Sequence, residues 1–104
     1  MLNNIDVQKI ADELDFDFSD VEMLLEVFIE TAKETLISLD KAILENDFEN
    51  MFMLSHAIKG SAANLLLEDI VKLAKEIECE SKEKKHINYK ELYKRLLNEV
   101  EKLK

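Results

Sequence analysis

Histidine suits nucleophilic and proton-transfer chemistry near neutral pH, because its ordinary pKa is about 6.5. The chain has two, His56 and His86. His56 stands in the stretch MFMLSHAIKGSAANLLL, residues 51–67, where it and Lys59 are the only ionisable side chains. With 36% charged residues overall, about six would be expected in a stretch of that length. Placing residues at about 100° each puts Met51, Ser55, Ile58, Ala62 and Leu65 on one helix face, which we take as core. His56 then lies well away from that face, with Phe52, Gly60 and Ala63 beside it and Met53 further round. The expected outward surface is small, apolar and centred on one histidine.

Gly60 is the sole glycine, and there is no proline. It lies one turn after His56 on the same side. Glycine inside a helix costs roughly 1 kcal/mol relative to alanine, so its presence asks for a gain. Clearance over the imidazole for an approaching protein is one gain, and close packing between helices is another. Lys59, three residues after His56, can place a positive charge beside an anion on the ring. Singly, these features describe a solvated histidine, a buried helix and a packing glycine. Their coincidence on one face points to a site.

The elements that must hold this site are helices. With so little glycine and proline, strands joined by tight turns are excluded. Helix starts are expected at Ser19 with Glu22 as a capping box, and at Asn46 with Glu49 and Asn88 with Glu91 at the same spacing. A short first helix is expected from about Ile5 to Leu14. The second runs from about Asp20 to Leu44, with Val21, Leu24, Leu25, Phe28, Ile29, Ala32, Leu36, Leu39 and Ile43 as its apolar stripe. The third spans about Asp47 to Leu65, the fourth about Glu68 to Lys82, and the fifth about Tyr89 to Lys102. Short connections make successive helices antiparallel neighbours. The expected fold is therefore all-α, an up-down antiparallel four-helix bundle with a short additional N-terminal helix, in one domain over 1–104.

Charge bounds the partners. Twenty-three acidic against 14 basic residues give a net charge of −9, which argues against nucleic acid and anionic membranes. One cysteine, Cys79, excludes an internal disulfide and any cysteine-cluster zinc site, and fits a reducing cytoplasm. The N-terminus lacks a signal-peptide pattern, and no run of about 20 uncharged apolar residues exists. No glycine-rich phosphate loop or kinase signature is present, so no ATP site and no autonomous kinase activity are expected.

The segment His56-Ala57-Ile58-Lys59-Gly60-Ser61-Ala62-Ala63-Asn64-Leu65 resembles the His-x-Leu-Lys-Gly-Ser-Ala/Ser motif of histidine-containing phosphotransfer (HPt) domains. The resemblance covers nearly the whole chain. Phe28, the Leu36/Leu39 stripe, the Asn46-Asp47 turn and Ile77-Glu78 with Lys82 fall at familiar spacings. It implies a cytoplasmic, monomeric phosphocarrier of two-component phosphorelays, with His56 as phospho-acceptor and Lys59 offsetting the added charge. The implied partners are the receiver domain of a response regulator and/or a hybrid sensor histidine kinase. No cofactor of its own is implied, and magnesium would sit in the partner receiver domain. The docking surface would be Phe52, Met53, Ala63 and Asn64. The alternative is a non-catalytic adaptor that docks a signalling partner through the Phe52, Met53 and Ala63 face. One departure stands out. The family usually has a second glycine where this chain has Leu66, which suggests a different turn into Glu68 or a slightly longer helix.

Hairpin geometry adds two candidates. If the turn after the third helix is centred near Leu67, His56 and Glu78 lie at equal height on antiparallel helices, as do Phe52 and Lys82. Glu78 is then placed to accept a hydrogen bond from His56 Nδ1–H and leave Nε2 free. The family often has Glu or Gln there and Arg four residues on, so Lys82 would be a substitute cation. The other reading makes Glu78 and Lys82 an exposed i,i+4 pair. His86, in a lysine-rich connection, is expected to be a solvated loop residue, and Cys79 to be partly exposed without a role.

Overall fold

The computed structural model describes residues 5–103. Residues 1–4 and 104, the two ends of the expected 1–104 unit, lie outside the described residues. Five helices follow in order: α1 (Val7–Leu14), α2 (Phe18–Leu44), α3 (Phe48–Asn64), α4 (Glu68–Lys82) and α5 (Tyr89–Glu101), with no strand among the described residues. α2 packs against α3 and α5, α3 against α4, and α4 against α5, which closes a four-helix bundle; α1 packs on α2. The 27 residues of α2 span about 40 Å at 1.5 Å per residue. That one helix sets the 42 Å long axis of the molecule.

The bundle closes because each helix buries one stripe. Val21, Leu25, Phe28, Ala32, Leu36 and Leu39 of α2 meet Met51, Ile58 and Ala62 of α3, Ile70, Ala74 and Ile77 of α4, and Leu92, Leu96 and Val100 of α5. Leu24, expected in this stripe, is instead 42% exposed; Ile43 packs half-buried against the core as expected, with Ala42 beside it buried. Among the small buried residues of α3 and α4 are Ser55, Ala62, Ala74 and Ser81, and small side chains let helix axes approach closely. Each buried serine donates to a carbonyl one turn back, Ser55 to Met51 and Ser81 to Ile77, both at 2.6 Å, so neither hydroxyl is left unsatisfied. Across α2 and α5, Lys90 reaches Asp40 at 2.9 Å.

Two helix starts differ from expectation. α2 begins after Asp17, whose extended backbone lets the chain enter the helix without any side-chain cap bond. Ser19 lies inside the first turn, so the Ser19–Glu22 box does not form. α3 is capped by Asp47, which accepts from Asn50 N–H at 3.1 Å, and not by Asn46. Asn88 does cap α5, accepting from Glu91 N–H at 3.1 Å.

Asn46 has another task. Among the described residues it is one of four non-glycine residues with positive φ, with Asp15, Leu66 and Lys84 (φ 53–59°). Each follows a helix and closes it with the paired bonds of a Schellman turn. After α3, Leu66 N–H donates to Ala63 C=O at 3.1 Å and Leu67 N–H to Ala62 C=O at 3.0 Å. The expected longer helix or altered turn does not occur. Leu66 adopts the left-handed conformation that glycine adopts freely, and the hydrogen bonds hold it there. Among the described residues, no helix is long and apolar enough to cross a membrane.

Candidate functional site

The α3–α4 hairpin positions the site. Because the Leu65–Leu67 turn is short, α3 and α4 run antiparallel in close register, and His56 and Glu78 meet. His56 Nδ1 contacts Glu78 Oε2. Lys59 Nζ donates to the other oxygen, Oε1, at 2.7 Å. One carboxylate therefore holds the histidine and the lysine together.

The electrostatics assign the protons. Glu78 is nearly buried, its side chain 9% exposed. Burial alone would push its pKa up, but the Lys59 and His56 hydrogen bonds and their charges outweigh burial and hold it below the usual carboxylate range. An ionised carboxylate only accepts, so the shared proton belongs to His56 Nδ1. Nε2 then keeps its lone pair, on a side chain 61% exposed. The Phe52 ring stacks on the imidazole, centroids 6.0 Å apart and planes 18° from parallel. The ring is thus held on one edge by Glu78 and on one face by Phe52, with Nε2 accessible.

Gly60 is exposed, and a Cβ built there would meet nothing within 4 Å. Close packing inside this molecule therefore does not explain the glycine. Of the expected docking residues, Met53, Ala63 and Asn64 are exposed and Phe52 is half-buried. Lys82 is exposed and forms no ion pair with Glu78, whose oxygens are engaged by His56 and Lys59; the i,i+4 pairing is not formed. His86 is exposed, with its ring edge-on to Phe48 at 5.4 Å. Cys79 is exposed.

Beside this face lies a groove of about 480 Å³ between α2 and α3, absent from the expectations above. Leu14, Phe16, Leu24 and Val27 form one side, and Ala57 and Ser61, within the histidine motif, form the other. Phe16, Leu24 and Val27 are 51%, 42% and 57% exposed. One sequence signal pointed to this groove. Val27, which lines it, is an apolar position off the buried stripe of α2, where a helix with one covered face should be polar.

Residues 23–104 match the family model described as Hpt domain. The match covers most of the chain, and the chain belongs to the Hpt domain family, whose members carry out histidine phosphotransfer in two-component phosphorelays and interact with receiver domains. No curated protein and no solved structure gave a significant match.

Proposed function

We propose that this chain carries a phosphoryl group reversibly on Nε2 of His56. The observation that supports it is the accessible Nε2 of a histidine whose other nitrogen is tied to an ionised carboxylate. In the forward step the Nε2 lone pair attacks the phosphorus of an aspartyl phosphate on a receiver domain. The N–P bond forms, the P–O bond to the aspartate breaks, and the aspartate leaves as a carboxylate. No proton moves: Nδ1–H stays on what is now a phosphoimidazolium, and Glu78 compensates its positive charge. Transfer onward is the same step reversed, with Nε2 as leaving group.

Lys59 would turn from Glu78 Oε1 to the phosphoryl oxygens, which carry most of the charge in this chemistry. Lys82, one turn along α4 from Glu78, is the auxiliary cation of this reading. Gly60 leaves the approach to the ring open, and Phe52, Met53, Ala63 and Asn64 form the contact surface around it. Magnesium would be supplied by the receiver domain. The partners are a response regulator and/or a hybrid sensor histidine kinase, in the cytoplasm, and the carrier acts as a monomer.

Mixing the protein with a phosphorylated receiver domain tests this. Acid-labile, alkali-stable label is expected on the wild type and none on His56→Gln. A stable complex without label transfer would replace the carrier reading with that of an adaptor.

A further inference from the structure

The net charge of −9 is not spread along the bundle. Between Ile5 and Glu26 there are eight carboxylates and one lysine, so this segment carries −7 of it. The same segment supplies the Leu14, Phe16 and Leu24 side of the groove. Asp15 and Asp17 flank Phe16 in sequence, and Asp20 lies one turn before Leu24 on the same side of α2. All three are exposed, and their side chains form no ion pair or hydrogen bond among the described residues. The opposite wall, from Ala57 to Asn64, offers no charge beyond Lys59, which is held by Glu78. The groove therefore has an apolar floor, one acidic rim and one neutral rim that leads to His56.

An apolar floor this wide favours an amphipathic helix. Ala57 to Asn64 is about two turns of α3, and Leu24 to Thr35 about three turns of α2. An acidic rim over such a floor repels a partner flanked by carboxylates and attracts one flanked by ammonium or guanidinium groups, chiefly through the rate of encounter. We infer that the groove selects, among receiver domains, one that presents an apolar helix bordered by lysine or arginine on the side facing Asp15, Asp17 and Asp20. This rests on the phosphocarrier reading for the identity of the partner. The charge pattern alone sets the partner's chemistry.

Two helix-forming peptides with the same leucine and valine stripe, one flanked by lysine and the other by glutamate, test the recognition step on the whole chain by NMR titration. The lysine peptide is expected to bind about tenfold or more tightly than the glutamate peptide. Its shifts should centre on Leu24, Val27, Ala57 and Ser61, and its affinity should fall with added salt. The combined Asp15→Asn, Asp17→Asn and Asp20→Asn variant keeps at position 15 a residue that tolerates the left-handed backbone there and should lose most of that preference. Equal binding of the two peptides, binding of neither, or shifts elsewhere overturns the inference. So does a dimer by sedimentation that Val27→Asp makes monomeric, because a second copy would then be the occupant. Phosphotransfer separates the two readings. If a receiver labels His56 at a rate indifferent to the triple variant and to salt, charge selection fails and the carrier stands. If no phosphorylated receiver labels His56, the carrier fails, while the peptide comparison still decides what the groove accepts.

Discussion

His56 Nδ1 and Glu78 Oε2, 22 positions apart in the chain, meet across the α3–α4 hairpin. The contact depends on the hairpin register, so anything that shifts α4 along α3 loosens the hold on the ring's tautomer. Glu78→Ala should weaken the hold on the Nδ1–H tautomer. Nitrogen chemical shifts of His56 read this directly, and an unchanged tautomer would remove Glu78 from the site.

Acid should act through the same carboxylate. Its pKa in the fold lies below the ordinary value of 4.5, so ionised Glu78 contributes stability that is fully present above about pH 4.5 and is lost as pH falls through the depressed folded value. Urea unfolding of wild type and Glu78→Gln should show a stability gap of about 1–2 kcal/mol near neutrality. The gap should narrow below about pH 4.5. A gap that stays constant to about pH 3 contradicts the assignment.

Gly60 separates stability from function. A methyl group at this position meets nothing, so Gly60→Ala should stabilise the fold by about 1 kcal/mol, raising Tm by roughly 4–8 °C. Gly60→Gln should remain helical by circular dichroism and slow phosphotransfer strongly. Undiminished transfer with normal partner affinity would show that clearance is not the reason for the glycine.

The helix ends offer a graded comparison. A left-handed side-chain-bearing residue costs about 1–2 kcal/mol unless it is Asn or Asp, which tolerate the conformation. Lys84→Gly, at an exposed position, should stabilise by about 1 kcal/mol after the entropy that glycine restores to the unfolded chain. Leu66→Gly should gain less, because the leucine is only 36% exposed and loses packing. Asn46→Gly should change little. Chemical denaturation gives the order, and a destabilised Lys84→Gly would break it.

Most of the frame was legible in the apolar periodicity. The stripe of threes and fours in the second helix, the cap spacings and the polar connections located the five helices, and the hairpin symmetry about Leu67 brought His56 and Glu78 to one level. The second bond of Glu78, to Lys59, was not foreseen, because periodicity gives height and face but no side-chain rotamer. Ser19 was misread for a different reason. Asp15, Asp17, Ser19 and Asp20 are all good caps within six positions, and only the backbone conformation at Asp17 chooses among them. Leu66 in a left-handed turn contradicts local preference, and only the bonds from Leu66 and Leu67 back to α3 make it stable. Leu24 lay on the buried stripe by angle, yet nothing in one helix reveals where its neighbour stops covering it.

The fixed ring has a kinetic consequence. With Nδ1 bonded to Glu78 and Phe52 stacked beside one face, turning the imidazole to search for an aligned phosphorus would break the Glu78 bond. Alignment then falls to the orientation of the incoming domain as a whole. Turnover in such a carrier would be governed by how long and how squarely two proteins stay together, and surface changes well away from the histidine would set the tempo of the relay.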